Sequence, residues 1–278
     1  MTAQHLSGKI AVVTGSSRGV GRRIAVRLGT HGAVVALVAR SHSGLEETAA
    51  EIREQGGRAE IFPADLSKSD PAAIAALKEQ IESRLGTPSI LINAAGIFGP
   101  ISLIKDMDAA AFLETIAINA ITPSLLCQAF VTGMIAHGWG RVVNVTSAAA
   151  LHPPGPTNSA YGTSKVALNQ FTRHLASEVE NTGVTANVIH PGDVKTEMWA
   201  DIREKIQSMG SEADGYRSWV KWVEDTGGDD VEKAADLVLK LMGDAAARVN
   251  GQFLWIDGGL QAPIPSWGET TITQPWRE

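Results

Sequence analysis

A single cysteine, Cys127, among 278 residues excludes an internal disulfide. It lies in the apolar run SLLCQAF and reads as a buried core residue in a reducing cytosol, so a cytoplasmic location is expected. Basic residues are in deficit: the net charge of −6 weighs against nucleic acid as a partner. No stretch approaches the roughly 20 apolar residues of a membrane span, and MTAQHLSGK lacks the basic-then-apolar layout of a secretion signal. A membrane is therefore not expected as a partner. Internal repeats and low-complexity linkers are missing, and no set of residues reads as a metal site. What is present, 44% hydrophobic and 19% charged residues, is the composition of a soluble globular chain. Its length suits one α/β domain, 1–278, with one large core.

Apolar, β-branched runs at 9–14, 33–39, 58–64, 89–93 and 184–190, with RVVNVTS ending at Ser147 and GQFLWIDGG near the end, read as strands. Helical periodicity follows the first strand, then recurs at 43–56, 70–85, 108–137, from Ala160 onward, after Thr196 and at 230–243. Strands alternating with helices predict a Rossmann-type, doubly wound parallel sheet of about seven strands with helices on both faces.

The first strand, KIAVVT, runs into GSSRGVG and then a helical pattern. Gly15, Gly19 and Gly21 let the backbone turn tightly and approach a pyrophosphate, whose charge the helix N-terminus favours. The spacing is G-x-x-x-G-x-G and not the commoner G-x-G-x-x-G. The second strand ends at Arg40-Ser41, where an acid would bind the ribose 2′-hydroxyl of NAD(H). No acid is there, and Arg18 adds a second cation, so NADP(H) is favoured with NAD(H) as the alternative. Asp65, after the third strand, either bonds an adenine amino group or caps a turn. The small residues of NAAG (93–96) allow close approach to a ligand after the fourth strand.

In open α/β sheets the ligand crevice lies at the carboxyl ends of the strands. Ser147 falls at such an end, and Tyr161 and Lys165, four apart on one helix, project from one face. A nearby ammonium favours the phenolate, which would make Tyr161 a usable general acid/base. Pro123 has no N–H, so the carbonyl of Asn119 loses its helical partner, the 108–137 helix is expected to kink there, and that carbonyl becomes free to hold a water.

TGSSRGVG, NAAG, Asn119, Ser147, YGTSK (161–165) and PG (191–192), in this order, resemble the classical short-chain dehydrogenase/reductase family from Lys9 to about Gly259. The resemblance implies a catalytic tetrad of Asn119, Ser147, Tyr161 and Lys165. Tyr161 would exchange the proton at the carbonyl or alcohol oxygen, Ser147 would hydrogen-bond that oxygen, and Lys165 would lower the Tyr161 pKa and bind the nicotinamide ribose. Cofactor contacts would also come from Ser17, Val20, Ser41, Leu66, Asn93, Ala94, Ala95, Gly96, Pro191, Gly192, Val194 and Thr196, the last otherwise a helix cap. One departure stands out: the interval from Ser147 to Tyr161 is one residue longer than the family's usual spacing, which would fall on Ala148. Ser147 is preferred because it ends the strand and HPPGPTN can absorb the extra residue.

The activity implied is NADP(H)-dependent interconversion of a ketone or aldehyde with an alcohol. An NAD-linked sugar, polyol or alcohol dehydrogenase is the alternative, and a non-catalytic NADP-sensing or scaffold protein the reading of a different class. Residues 194–228 are expected to form a substrate lid and 261–278 a C-terminal extension. Met198, Trp199 and His152 are candidate substrate contacts, although His152 alternatively only shapes its loop. Trp219 and Trp222 are favoured as anchors of the lid over walls of the pocket. The expected partners are a small-molecule carbonyl or alcohol and the chain itself, as a homotetramer or homodimer.

Overall fold

The computed structural model describes residues 5–68, 70–151, 155–256 and 259–260. Eight strands form one sheet in the order β3-β2-β1-β4-β5-β6-β7-β8. They are β1 Ile10–Thr14, β2 Val34–Ala39, β3 Arg58–Pro63, β4 Ile90–Asn93, β5 Gly140–Val145, β6 Val184–His190, β7 Phe253–Trp255 and the two-residue β8 Gly259–Leu260. Seven run parallel, and β8 pairs antiparallel with β7. The order reverses between β1 and β4, which opens a crevice at their carboxyl ends.

The strands read as apolar runs because both faces of the sheet are covered. On one face, α1 (Gly19–Thr30), α2 (His42–Glu54) and α9 (Val231–Met242) bury Ile24, Leu28, Leu45, Ile52 and Val238 against β1 and β2. On the other, α3 (Pro71–Leu85), α5 (Thr122–Ala136) and α6 (Ser159–Glu178) contribute Ile74, Ile81, Phe130, Met134 and Leu175. Cys127 is fully buried there, as expected. Arg22, Arg23 and Arg27 of α1 pair with Glu47 and Glu51 of α2 and with Glu232 and Asp236 of α9. These part-exposed pairs orient three helices more than they stabilise them.

The helix expected over 108–137 is continuous but not uniform: α4 (Ala109–Ile116) passes through a π turn, Ala117–Ile121, into α5. The Thr122 N–H is donated to the Ala117 carbonyl, five residues back. The chain therefore widens by a π turn ahead of Pro123, where a proline kink was expected. Residues 109–136 also correct the expectation that no stretch reaches membrane-span length. Their 28 residues have a mean hydropathy of 1.5, and part of that apolar surface faces the core through Leu126, Phe130 and Met134.

Residues 194–228 form a separate layer over the crevice. Two helices, α7 (Glu197–Lys205) and α8 (Asp214–Thr226), close on their own apolar cluster of Trp199, Ile202, Ile206, Val220 and Val223. Its neck is clasped: the Asp193 N–H donates to the Asp229 carboxylate at 2.7 Å, and the Asp229 N–H donates to the Asp193 carbonyl at 3.0 Å. His152 and the 261–278 extension lie outside the described residues.

Candidate active site

The crevice is a cavity of about 660 Å³ between the strand ends and helices α7 and α8. At its floor the glycine turn has little freedom to be anything else. Gly15 has φ +65°, and a Cβ there would stand 2.8 Å from the backbone of Ala95. A Cβ on Gly21 would fall 2.4 Å from the Gly15 carbonyl oxygen. Thr14 ties this turn to NAAG, its Oγ1 accepting from the N–H groups of Ala94 and Ala95 at 3.1 Å each. Ser17, Arg18, Gly19, Val20 and Gly21 line the cavity with Arg40, Ser41 and Leu66, and the side chains of Arg18 and Arg40 are exposed. Backbone at a helix start with two cations beside it fits the phosphates of a dinucleotide.

Two expected cofactor contacts are placed elsewhere. Asp65 is exposed and does not line the cavity; its carboxylate accepts from the Ser67 N–H at 3.1 Å and hydroxyl at 2.7 Å. Those bonds hold it below the usual carboxylate range. It caps its turn, and Ser67 takes the place on the wall. Asn93 is buried within β4, where its amide donates to Asn144 Oδ1 at 2.8 Å, and Asn144 donates in turn to Thr172 Oγ1 at 2.8 Å. Through these bonds Asn93 ties β4 to β5 and α6. Ala94, Ala95, Gly96, Pro191, Gly192, Val194 and Thr196 all line the cavity. Thr196 also caps α7 through the Trp199 N–H at 3.5 Å, the role expected of it as a helix cap.

The four tetrad candidates converge at one end. β5 stops at Val145, two residues earlier than expected, and Ser147 caps the short turn Ala148–Ala150 by accepting from the Ala149 N–H at 3.2 Å. It lines the cavity and pulls the Tyr161 pKa down, which favours Ser147 over Ala148. Lys165 is buried and donates to the Val145 carbonyl at 2.9 Å, with Nζ 5.6 Å from the centre of the Tyr161 ring. Asn119, in the π turn, clasps the loop after β4: its amide donates to the Ile97 carbonyl at 2.8 Å and accepts from the Ile97 N–H at 2.9 Å. It also donates to Ser164 Oγ at 3.0 Å, which donates to the Tyr161 carbonyl at 2.7 Å.

Burial pushes the Tyr161 phenol up to about 12; the Ser147 hydrogen bond pulls it down and the Asp193 carboxylate pushes it further up. Burial brings Lys165 down to about 8. The protein's own groups therefore raise the Tyr161 pKa, in contrast to the expected lowering.

The remaining wall holds residues that periodicity does not reveal. Phe98 stacks on Tyr161, with centroids 4.6 Å apart at 27°. His190 lines the cavity, and its Nδ1 accepts from the Ala148 N–H at 3.2 Å, holding the turn after Ser147. Met198 and Trp199 line it as expected. The two anchors separate: Trp219 is a wall of the cavity, whereas Trp222 is 44% exposed. An aromatic two residues past NAAG was the one signal in the sequence that pointed to Phe98.

Residues 9–207 match the short chain dehydrogenase family. A 3-oxoacyl-[acyl-carrier-protein] reductase of Pseudomonas aeruginosa is 34% identical over 258 residues, 92% of this chain and 98% of its own. A short chain dehydrogenase of Pseudocercospora fijiensis is 36% identical over 198 residues, 70% of this chain and 63% of its own. Among solved structures, a point variant of actinorhodin polyketide ketoreductase with NADPH superposes with a TM-score of 0.80 at 30% identity, covering 92% of this chain and 97% of that one. NAD+-bound xylitol dehydrogenase does so with a TM-score of 0.82 at 25% identity, covering 92% and 100%. The chain belongs to the short-chain dehydrogenase/reductase family. It is an oxidoreductase that acts on CH–OH groups and the corresponding carbonyls with a nicotinamide cofactor.

Proposed function

We propose that the protein interconverts a ketone or aldehyde with an alcohol using NADP(H), with Tyr161 as general acid/base. The observation that carries this reading is the meeting of Ser147, Tyr161, Lys165 and the Asn119 clasp at the lid end of a cavity whose other end is the glycine turn. The bound cofactor supplies or accepts the hydride. Ser147 holds the substrate oxygen, and Tyr161 gives that oxygen a proton in reduction and takes it in oxidation. Lys165 steadies the phenolate left behind, and a water on the Asn119 carbonyl, in the widened π turn, continues the proton path. NADP(H) is preferred because Arg18 and Arg40 face the cavity where a 2′-phosphate would lie.

The test is oxidation of NADPH and of NADH with a panel of ketones and aldehydes, repeated with Tyr161→Phe. Turnover with NADPH above that with NADH, and a fall of about 10²- to 10⁴-fold in kcat for the variant, are expected. A variant with near-normal turnover refutes the role of Tyr161, and cofactor binding without any turnover favours the sensing protein.

A further inference from the structure

Ser147 stands where the chain leaves the sheet. β5 ends at Val145, so Ser147 lies beyond the strand with extended backbone, φ −153° and ψ 154°. A hydroxyl that must meet a substrate oxygen needs that backbone fixed, since a misplacement of about 1 Å costs on the order of 10²-fold in rate.

The backbone donors around it divide into two sets. The N–H groups of Ala149, Ala150 and Leu151 bond within the turn, to Ser147 Oγ at 3.2 Å, the Ser147 carbonyl at 3.0 Å and the Ala148 carbonyl at 2.8 Å. The N–H groups of Thr146 and Ala148, one on each side of Ser147, instead cross to β6. They donate to the Ile189 carbonyl at 2.8 Å and to His190 Nδ1 at 3.2 Å. The first is a backbone bond that continues the sheet. The second depends on a side chain, and only a residue with an acceptor at that place provides it.

His190 is built into that place. It closes β6, is 3% exposed, and sets its ring edge-on against Trp255 of β7, centroids 4.4 Å apart at 69°. The backbones of the two residues are also paired in the sheet, which fixes the base of the ring. A neutral imidazole that accepts at Nδ1 carries its proton on Nε2. The lengthened connection from Ser147 to Tyr161 leaves the serine's place to be set from the strand side, where these two bonds act.

We propose that His190 is a positioning residue for Ser147: its Nδ1 and the Ile189 carbonyl grip the chain on both sides of the serine and set the direction of its hydroxyl. This rests on the dehydrogenase reading of the same site.

His190→Leu removes the acceptor and keeps an apolar body against Trp255, whereas His190→Asn restores an acceptor oxygen close to where Nδ1 stands. With a ketone from the panel above and the cofactor that supports its turnover, His190→Leu is expected to lower kcat about ten- to a hundredfold. The Kd of the cofactor should change by less than about twofold. His190→Asn is expected to recover most of the lost turnover. Made on top of Ser147→Ala, His190→Leu is expected to cost less than about twofold more, because residues that act as a unit are not additive. The proposal is overturned by losses that multiply in the double variant, by a His190→Asn variant no more active than His190→Leu, by cofactor affinity falling in step with kcat, or by full activity of Ser147→Ala. NMR of the unmodified protein with isotope-labelled histidine needs neither a variant nor turnover. A bare Nδ1 and a proton on Nε2 are expected for His190, and a proton on Nδ1 overturns the proposal. Should no ketone or aldehyde be reduced with either cofactor, the dehydrogenase reading fails separately, and the ring nitrogens still decide whether His190 holds the turn.

Discussion

Lys165 shows how much one buried charge shapes this site. Its ammonium donates to the Val145 carbonyl, and burial brings its pKa from 10.5 to about 8. Between those values the unfolded chain holds a proton that the folded chain has lost, so stability rises with pH across that window. Below pH 8 both states are protonated and the full cost, on the order of 3 kcal/mol, is present. Lys165→Met is therefore expected to raise Tm at pH 7, with the gain shrinking as pH climbs past 8 towards 10.5, while turnover is lost. Thermal melts at a series of pH values check this, and a gain independent of pH would contradict it. Arg40 makes the opposite case, an exposed cation at the cavity rim. Arg40→Asp is expected to lower the NADPH-to-NADH ratio of kcat/KM by tenfold or more, about 1.4 kcal/mol. Both residues were readable from type and position, yet the direction of the Tyr161 shift was not. It depends on burial and on Asp193, and neither is visible in a sequence.

The π turn and the loop after β4 behave as one device. Asn119 was legible as a polar residue four before a proline, but its side chain turned out to hold both backbone groups of Ile97. Asn119→Ala leaves that N–H and carbonyl without their partner. A loss of about 1–3 kcal/mol in urea unfolding is expected, with a fall in turnover. Unchanged stability would mean that water replaces the amide at no cost. Strand and helix positions came through well, because buried parallel strands and amphipathic helices write their burial into apolar spacing. Asn93 and Asp65 did not. Each follows the expected motif, but whether its side chain turns to the crevice, the next strand or its own backbone is set by neighbours many residues away.

Across the whole molecule, large apolar side chains stay exposed on α4, the π turn and α6, where Leu113 is 66%, Ile121 50% and Val166 47% exposed. We propose that these side chains pair copies of the chain, as the expected dimer or tetramer requires. Light scattering should report an oligomer, and Leu113→Glu with Val166→Glu should shift it to smaller species without unfolding it; an unaltered mass would remove the proposal. The fold class and the glycine turn were legible from the linear chain, because each is written in local spacing that survives any arrangement of the rest. The stacking of Phe98 on Tyr161, the clasped neck of the lid and the π turn arise only when distant segments meet. Hydrogen bonding and burial between such segments carry no periodic trace, so the substrate end of the site emerges from the folded molecule.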